Sequence, residues 1–460
     1  MSGRAATDRI IRGRAAISVN DPGHTLPKGW TRAVLTDVAD LGTGHTPSRH
    51  HPEYWDGDIG WIGIRDAGAH HGKVINDTAQ HITPLGVENS AARMLPKDTI
   101  CLSRTASVGY VVKMGRPMTT SQDFVTWSCS EAIDPDYLLN VLLAEGDDIR
   151  RFGEGSTHTT IYFPAVKAFN IDLPPAAEQR RIVAKLDALT ARLARARAEL
   201  DRVPVLARHL RAAALLECFA GWTTAVPLSD ILTHIEAGKN LRCEERPPQL
   251  DENGVVKVSA VTWGRFDPSQ SKTLPSDYAP PAKALIREGD LLISRANTLE
   301  LVGSVVIVEE PPTNLYLSDK ILRLVMSDAD KRWVMWFLRS PLGREAIEQK
   351  ATGNQLSMRN ISQSALRSIS IPYPDAAVRA ERVEVLEAVF VHADRMEAEA
   401  ARARGLIDRL EAAILGRAFR GELMPQDPND EPASVLLDRI RAQRAAIPKP
   451  RRGRRKQAEA

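Results

Sequence analysis

Cysteine is scarce: Cys101, Cys129, Cys218 and Cys243 are scattered, with no C-x-x-C pair among them. That usage suggests a reducing compartment, for which the cytoplasm is the expectation, and offers no zinc framework. Long apolar runs are missing too. None approaches the roughly 20 residues of a membrane span, so no membrane partner is expected. Arg4, Arg9, Arg12 and Arg14 precede no apolar signal-peptide core. No P-loop is present, which excludes ATP hydrolysis by this chain. A stand-alone methyltransferase would want a glycine-rich cofactor loop and an Asn/Asp-Pro-Pro-aromatic run, but Pro174-Pro175 is followed by Ala176. Charge of one sign does not dominate either: 61 Lys and Arg oppose 58 Asp and Glu, a net +3. Affinity for a polyanion would have to come from where the charge sits. The rest is ordinary for a soluble protein, 43% hydrophobic and 26% charged, with chain enough for two to four domains.

What the chain does have is a duplication, the first thing to look for because it fixes the architecture. Residues 178–221 read as one long helix, and residues 377–421 read as another. With one constant offset Leu210 falls on Leu410, Leu215 on Leu415, Phe219 on Phe419 and Gly221 on Gly421. In the first copy Ile182, Leu186, Leu189, Leu193 and Leu200 follow coiled-coil spacing. In the second, Leu386, Val389, Phe390, Leu406, Leu410 and Ile414 supply a similar face. A helix with one apolar seam needs another helix to cover it, and the other copy is the natural partner. Pro204 predicts a kink or a break. Roughly 45 helical residues reach about 65 Å, which suits a spacer, although an ordinary two-helix dimerisation element has the same pattern.

The flanking segments repeat as well. Residues 1–26 read as a flexible extension. Residues 31–41 are helix-like, and residues 44–65 are rich in Gly, Pro, Asp and His, as loops and short strands are. Strand-like runs follow from Asp98 to Cys129. Asp134-Pro135 starts a helix with Tyr137, Leu138, Leu142 and Ile149 inward. A polar loop at 153–158 and an exit strand lead into the long helix. The cycle restarts at Gly221-Trp222-Thr223, echoing Gly29-Trp30-Thr31. Ser294-Arg295 matches Ser103-Arg104, one helix over residues 329–350 puts Trp333 at the place of Tyr137, and Gly353 falls on Gly155. Residues 44–90 and 238–280 match poorly. The order is globule, helix, globule, helix. Two copies of one unit tend to pack about a pseudo-two-fold axis, which would set the helices antiparallel between two unlike heads.

This layout resembles the specificity subunit of type I restriction–modification systems over nearly the whole chain. The likeness is carried by G-x-T-P-S at residues 44–48, YWDGDIGWI at 54–62, GEGSTHTTIYFP at 153–164 and LPPAAEQRRIVAKLD at 173–187. LSDKILRL at 317–324 and the run ELMPQDPNDEPASVLLDRIRAQR at 422–444 add to it. His45 stands where the family usually has a second Gly, and the second copy lacks the E-Q-R-R-I run. The resemblance implies an α+β protein with two similar α/β target-recognition domains, separated by two long antiparallel helices forming a coiled coil. It divides the chain into the extension 1–26, the first recognition domain 27–176, the central helix 177–221, the second domain 222–376, the distal helix 377–423 and a basic tail with a short helix at 424–460. It implies a non-catalytic subunit in which each domain reads one half of a split, asymmetric double-stranded DNA target. The helices would set the spacer and dock two methyltransferase subunits. S-adenosylmethionine, Mg and ATP would then act on those and on restriction subunits, none of them on this chain.

Bases are read mostly by Arg, Lys, Asn, Gln, Ser and Thr in the major groove. The divergent loops offer Arg49, Arg65, Lys73, Asn76 and Gln80 in the first half. The second half offers Lys239, Asn240, Arg242, Arg265 and Gln270. Ser103-Arg104-Thr105 and Ser294-Arg295 recur in halves that would read different sequences, which points to phosphate contact or a structural hydrogen bond rather than base readout. Ser156, Thr157, His158, Asn354 and Gln355 lie in polar loops that would either grip a phosphate or simply turn the chain. His45, His50, His51, His70 and His71 crowd one region, but no cysteine accompanies them and the second half lacks them, so a metal site is not expected. The triplet Glu348-Gln349-Lys350 echoes a nuclease motif but sits on an amphipathic helix with no placed upstream acid. A fused methyltransferase or nuclease, or a coiled-coil interaction protein without DNA function, are the alternative readings.

Overall fold

The structure is a computed structural model that describes residues 7–446 apart from Ala106 and residues 156–158, 311–313 and 356–357. Two compact units form: Met1–Ala198 with Arg404–Ala460, and Glu199–Ala403. Each contains one α+β domain and parts of both long helices.

The long helices are Ala176–Phe219 and Ala376–Ala418. Pro204 lies inside the first and does not break it. Each helix ends at a glycine in the left-handed region, Gly221 at φ 80° and Gly421 at φ 70°, the usual stop where a side chain would be strained. In the first unit Ile182 and Leu186 share a core with Ala418 and Phe419, while Arg197 bonds Asp408 and Glu411. Rising numbers on one helix therefore meet falling numbers on the other, and the segments are antiparallel. The second unit repeats this: Phe219 shares its core with Val383 and Leu386, and Arg211 bonds Asp394 and Glu397.

The seam differs from the leucine reading. Leu406 and Leu410 are exposed, 58% and 50%. The buried line of the second helix instead takes Leu386, Ala393 and Ala400 and continues through half-buried Ile407 and Ile414, seven residues apart each time. Two of its contacts are alanines, which a count of large apolar residues passes over. In the first helix Leu189, Leu193 and Leu200 are half-buried, and so are Val389 and Phe390 in the second.

In the first unit, strands Ala39–Thr43, Phe124–Cys129, Ile100–Ser103, Val111–Met114 and Val74–Ile75 form a five-stranded sheet in that order. A three-stranded sheet pairs Trp55–Ile62 with Thr119–Thr120 and His81–Ile82. A third sheet corrects the reading of a flexible extension. Ile17–Val19 pairs with Phe169–Leu173, which pairs with Thr31–Val34, and Ile17 and Val19 are buried. Residues 31–41, expected as helix, give two strands around one helical turn, Leu35–Val38. Asp134 caps helix Pro135–Glu145 as expected, accepting from the Asp136 and Tyr137 amides. The helix Ala433–Ala446 returns the chain to this unit: Leu437 and Ile440 enter its core, and Arg441 and Arg444 bond Asp37 and Asp40.

The second unit has a four-stranded sheet, His234–Ala237, Ile321–Val325, Leu291–Ser294 and Val305–Ile307. The helix expected over 329–350 is split in two, Asp328–Arg339 and Pro341–Lys350, because Pro341 cannot continue it and Ser340 caps the second piece. The Tyr137–Trp333 equivalence holds in detail. Tyr137 packs edge-on against Phe419 at 5.7 Å and donates to the Asp172 carbonyl; Trp333 packs on Phe219 at 4.7 Å and donates to the Pro372 carbonyl.

Candidate nucleic-acid interface

Each unit builds the same backbone frame and hangs different side chains on it. In the first unit Ser103 ends a buried strand. Its hydroxyl donates to the Ser107 carbonyl (2.5 Å) and accepts from the Tyr110 amide (2.8 Å), so it is fully used inside the fold. Arg104 then pairs through its own backbone: its amide donates to the Asp123 carbonyl and its carbonyl accepts from Ile161. In the second unit the Arg295 amide donates to the Lys320 carbonyl and its carbonyl accepts from Ile361. Beside this frame a glycine presses on a neighbouring strand. A Cβ on Gly44 would lie 1.9 Å from the Thr120 carbonyl oxygen, and one on Gly238 would lie 1.7 Å from that of Leu317. Two exposed loops therefore leave the two frames at the same place, although residues 44–90 and 238–280 barely align.

The first-unit loop is pinned by two indoles, Trp61 donating to the His45 carbonyl (3.0 Å) and Trp55 to that of Ser48 (3.3 Å). Arg49 lies over Trp55, 3.7 Å from the ring centre, and donates to Gln80 at 3.0 Å. Thr46 bonds the Gln122 side chain at 2.5 Å, and the Arg104 guanidinium donates to the Gln122 carbonyl at 3.1 Å. Arg104 also lies 4.9 Å over Phe163, and its Nε is buried without a partner among the described residues. Burial lowers its pKa, against the pull of Asp123 and Tyr162, but a guanidinium stays charged at neutral pH. Thr105 is tied to Asp123 at 2.7 Å. The structure thus gathers Arg49, Gln80, Arg104 and Thr105 on loops that converge, and adds Thr46 and Gln122, which sequence reasoning passed over.

Other candidates are not brought together. Lys73 and Asn76 flank the edge strand of the five-stranded sheet, and the Asn76 carbonyl is held by Arg116. Arg65 is exposed on helix Ile64–Ala69, outside the converging loops. In the second unit Lys239, Asn240 and Arg242 are exposed on the loop after Gly238. Gln270 is taken up inside its own loop, accepting from Ser259 at 2.9 Å. Arg265 is exposed beside Trp263, itself 75% exposed, an aromatic that composition alone assigns to a core. Residues 352–355 are not the expected loop but a strand paired with Met358–Asn360, and Gly353 at φ 137° matches Gly155 at φ 111°. The Asn354 and Gln355 side chains, like Ser156, Thr157 and His158, lie outside the described residues. The clustered histidines have separate partners: His51 bonds Glu53 and His71 accepts from Val111. No group of three or more potential metal ligands exists among the described residues.

Two like α+β domains, each packed on antiparallel segments of both long helices and each presenting exposed polar and cationic loop residues beside a shared frame, define a duplicated protein with two unlike surfaces. Residues 27–202 match the family described as the type I restriction modification DNA specificity domain. The chain is 25% identical over 455 residues to the EcoKI specificity subunit of Escherichia coli K12, covering 92% of this chain and 97% of the relative. It is 24% identical to the StySPI specificity subunit of Salmonella potsdam over 91% and 96%. The HsdS subunit of Thermoanaerobacter tengcongensis shares its fold with a TM-score of 0.61, at 20% identity over 87% of this chain and 99% of that one. Residues 27–202 thus carry a type I restriction modification DNA specificity domain, and over most of its length the chain is similar to type I restriction enzyme specificity subunits. No helix among the described residues is long and apolar enough to cross a membrane.

Proposed function

We propose that this chain is the DNA-reading subunit of a type I restriction–modification complex. Each domain reads one half of a split, asymmetric duplex target, and the long helices set the unread spacer and dock two modification subunits. Those partners hold S-adenosylmethionine and methylate adenine N6; restriction subunits cleave with Mg and ATP. This chain contributes no catalytic group, and the assembly works in the cytoplasm. One observation carries the reading: the Ser–Arg frame is held by equivalent backbone bonds in both domains, while the exposed loop beside it changes from Thr46, Arg49 and Gln80 to Lys239, Asn240 and Arg242. Phosphates are alike at every site and bases are not, so a fixed frame with a variable loop suits reading two sequences with one architecture.

Methylome sequencing tests it. Deleting the chain should abolish one bipartite methylated motif, and replacing residues 46–50 should alter one half of that motif and leave the other. Adding a helical turn to either long helix should lengthen the spacer with both halves unchanged. Methyl transfer by the chain alone would point to an enzyme instead. Failure to bind DNA even with modification subunits would leave only an interaction protein.

A further inference from the structure

The ion pairs between the long helices are arranged by repeat. In the first unit Arg197 forks between Asp408 at 2.7 Å and Glu411 at 2.6 Å. In the second unit Arg211 forks between Asp394 at 2.5 Å and Glu397 at 2.6 Å. Under the offset that superposes Phe219 on Phe419, Arg197 and Glu397 hold the same place in the two copies. So do Arg211 and Glu411, and Arg208 and Asp408. At these three positions the first copy is basic where the second is acidic. Arg208 lies near enough to Glu397 to help Arg211 hold that carboxylate below its ordinary pKa.

The observed register says what like-with-like pairing would do. Two first copies would set Arg197 against Arg208 and Arg211. Two second copies would set Glu397 against Asp408 and Glu411, and Glu411 against Asp394 as well. The apolar seam repeats with the same sevenfold spacing in both copies, with Ala393 and Ala400 standing where the first copy has Leu193 and Leu200. The fork residues are partly sheltered: Arg197, Arg211, Glu397 and Glu411 are 21–34% exposed. Attraction at such sites is modest, but like charges placed opposite one another at several points disfavour a wrong partner, as flanking charges do in coiled coils.

We propose that these charges form a pairing code that fits the first repeat only to the second and rejects a second copy of either repeat. The code resides in the helices and holds whatever the domains bind. It acts beside the helix Ala433–Ala446, which also ties the second repeat to the first domain, in keeping two unlike domains in one assembly.

The test uses the whole protein, opened at one turn. Gly221 sits in an exposed turn with φ 80° and nothing within 4 Å of an added Cβ, so a protease site there leaves the fold room. After cleavage the two pieces remain as a one-to-one complex. Differently tagged preparations, mixed in denaturant and refolded, should recover first pieces only with second pieces. The triple change Arg197→Glu, Arg208→Glu, Arg211→Glu should weaken pairing by about 30-fold or more. Adding Glu397→Arg, Asp408→Arg and Glu411→Arg should restore it. Two first pieces recovered together as readily as unlike pieces would overturn the code, as would undiminished pairing after the triple change. If the triple variant fails to fold, the uncut sixfold reversal decides: a Tm near the native value supports the code, and a Tm as low as that of a threefold variant refutes it.

Discussion

Replacing Arg104 separates a phosphate contact from a brace. Among the described residues its side chain makes one hydrogen bond, to the Gln122 carbonyl at 3.1 Å, and lies 4.9 Å over Phe163. Losing these should cost about 1–2 kcal/mol of stability in Arg104→Ala, readable as a shifted urea midpoint with an unchanged slope. If the guanidinium also neutralises one phosphate, the variant releases one fewer counterion. The slope of log K against log salt then flattens by about 0.9. Between 50 and 200 mM salt, native affinity should fall about 3.5-fold further than that of the variant. At the lower salt the variant should bind every sequence about tenfold more weakly. The assay is fluorescence anisotropy with cognate and scrambled duplexes and modification subunits present. Ser103→Ala is the control: its hydroxyl is spent on Ser107 and Tyr110, so it should lose stability with no change of slope. An unchanged slope for Arg104→Ala, with stability lost, would refute the phosphate role and leave a brace.

The other expectations are more direct. Phe419→Ala, which empties the site against Tyr137 in the first-unit core, should cost about 3–5 kcal/mol in chemical denaturation. Arg49→Lys removes the planar group over Trp55 and its hydrogen bond to Gln80, and should lower affinity for cognate DNA by about tenfold or more while non-specific binding holds. Glu145 is buried and its pKa is raised mainly by desolvation, against the Arg14 and Ala15 amides that bond it. A raised carboxyl pKa means the folded state keeps the proton longer, so that stability is full below the unfolded value and falls as pH rises through the folded one. Glu145→Gln should flatten the Tm-against-pH profile over that window, and an unaltered profile would mean Glu145 is not the titrating group.

How much was legible in the residues follows from the range of the forces. The long helices, their glycine ends and the Asp134 cap depend on neighbours within a few positions, and all were readable. The Tyr137–Trp333 correspondence was readable because duplication supplied a second example. The N-terminal segment was not: Ile17–Val19 is too short to announce itself and becomes a strand only against Phe169–Leu173, far along the chain. The seam was half readable, since leucines advertise burial and alanines do not. Ala393 and Ala400 lie on the buried line, while Leu410 faces solvent at 50% exposure. The loop cluster was not legible as a place, for Arg49 meets Gln80 only because two indoles hold the intervening loop.

The same contrast explains how such a protein changes what it reads without losing its fold. Gly44 and Gly238 stand where any side chain would strike a backbone carbonyl, so neither loop can shift its point of departure. Ser103 and Ser294 are both fully buried, and the backbones of Arg104 and Arg295 are bonded on both sides. Just beyond those anchors residues 48–50 and 239–240 are exposed, so their replacement should cost little stability. A glycine with no room for a side chain and exposed residues free to change lie within a few positions of each other in both domains. The loops are therefore free to diverge while the frames stay recognisably the same, which is the pattern the two halves of the sequence display.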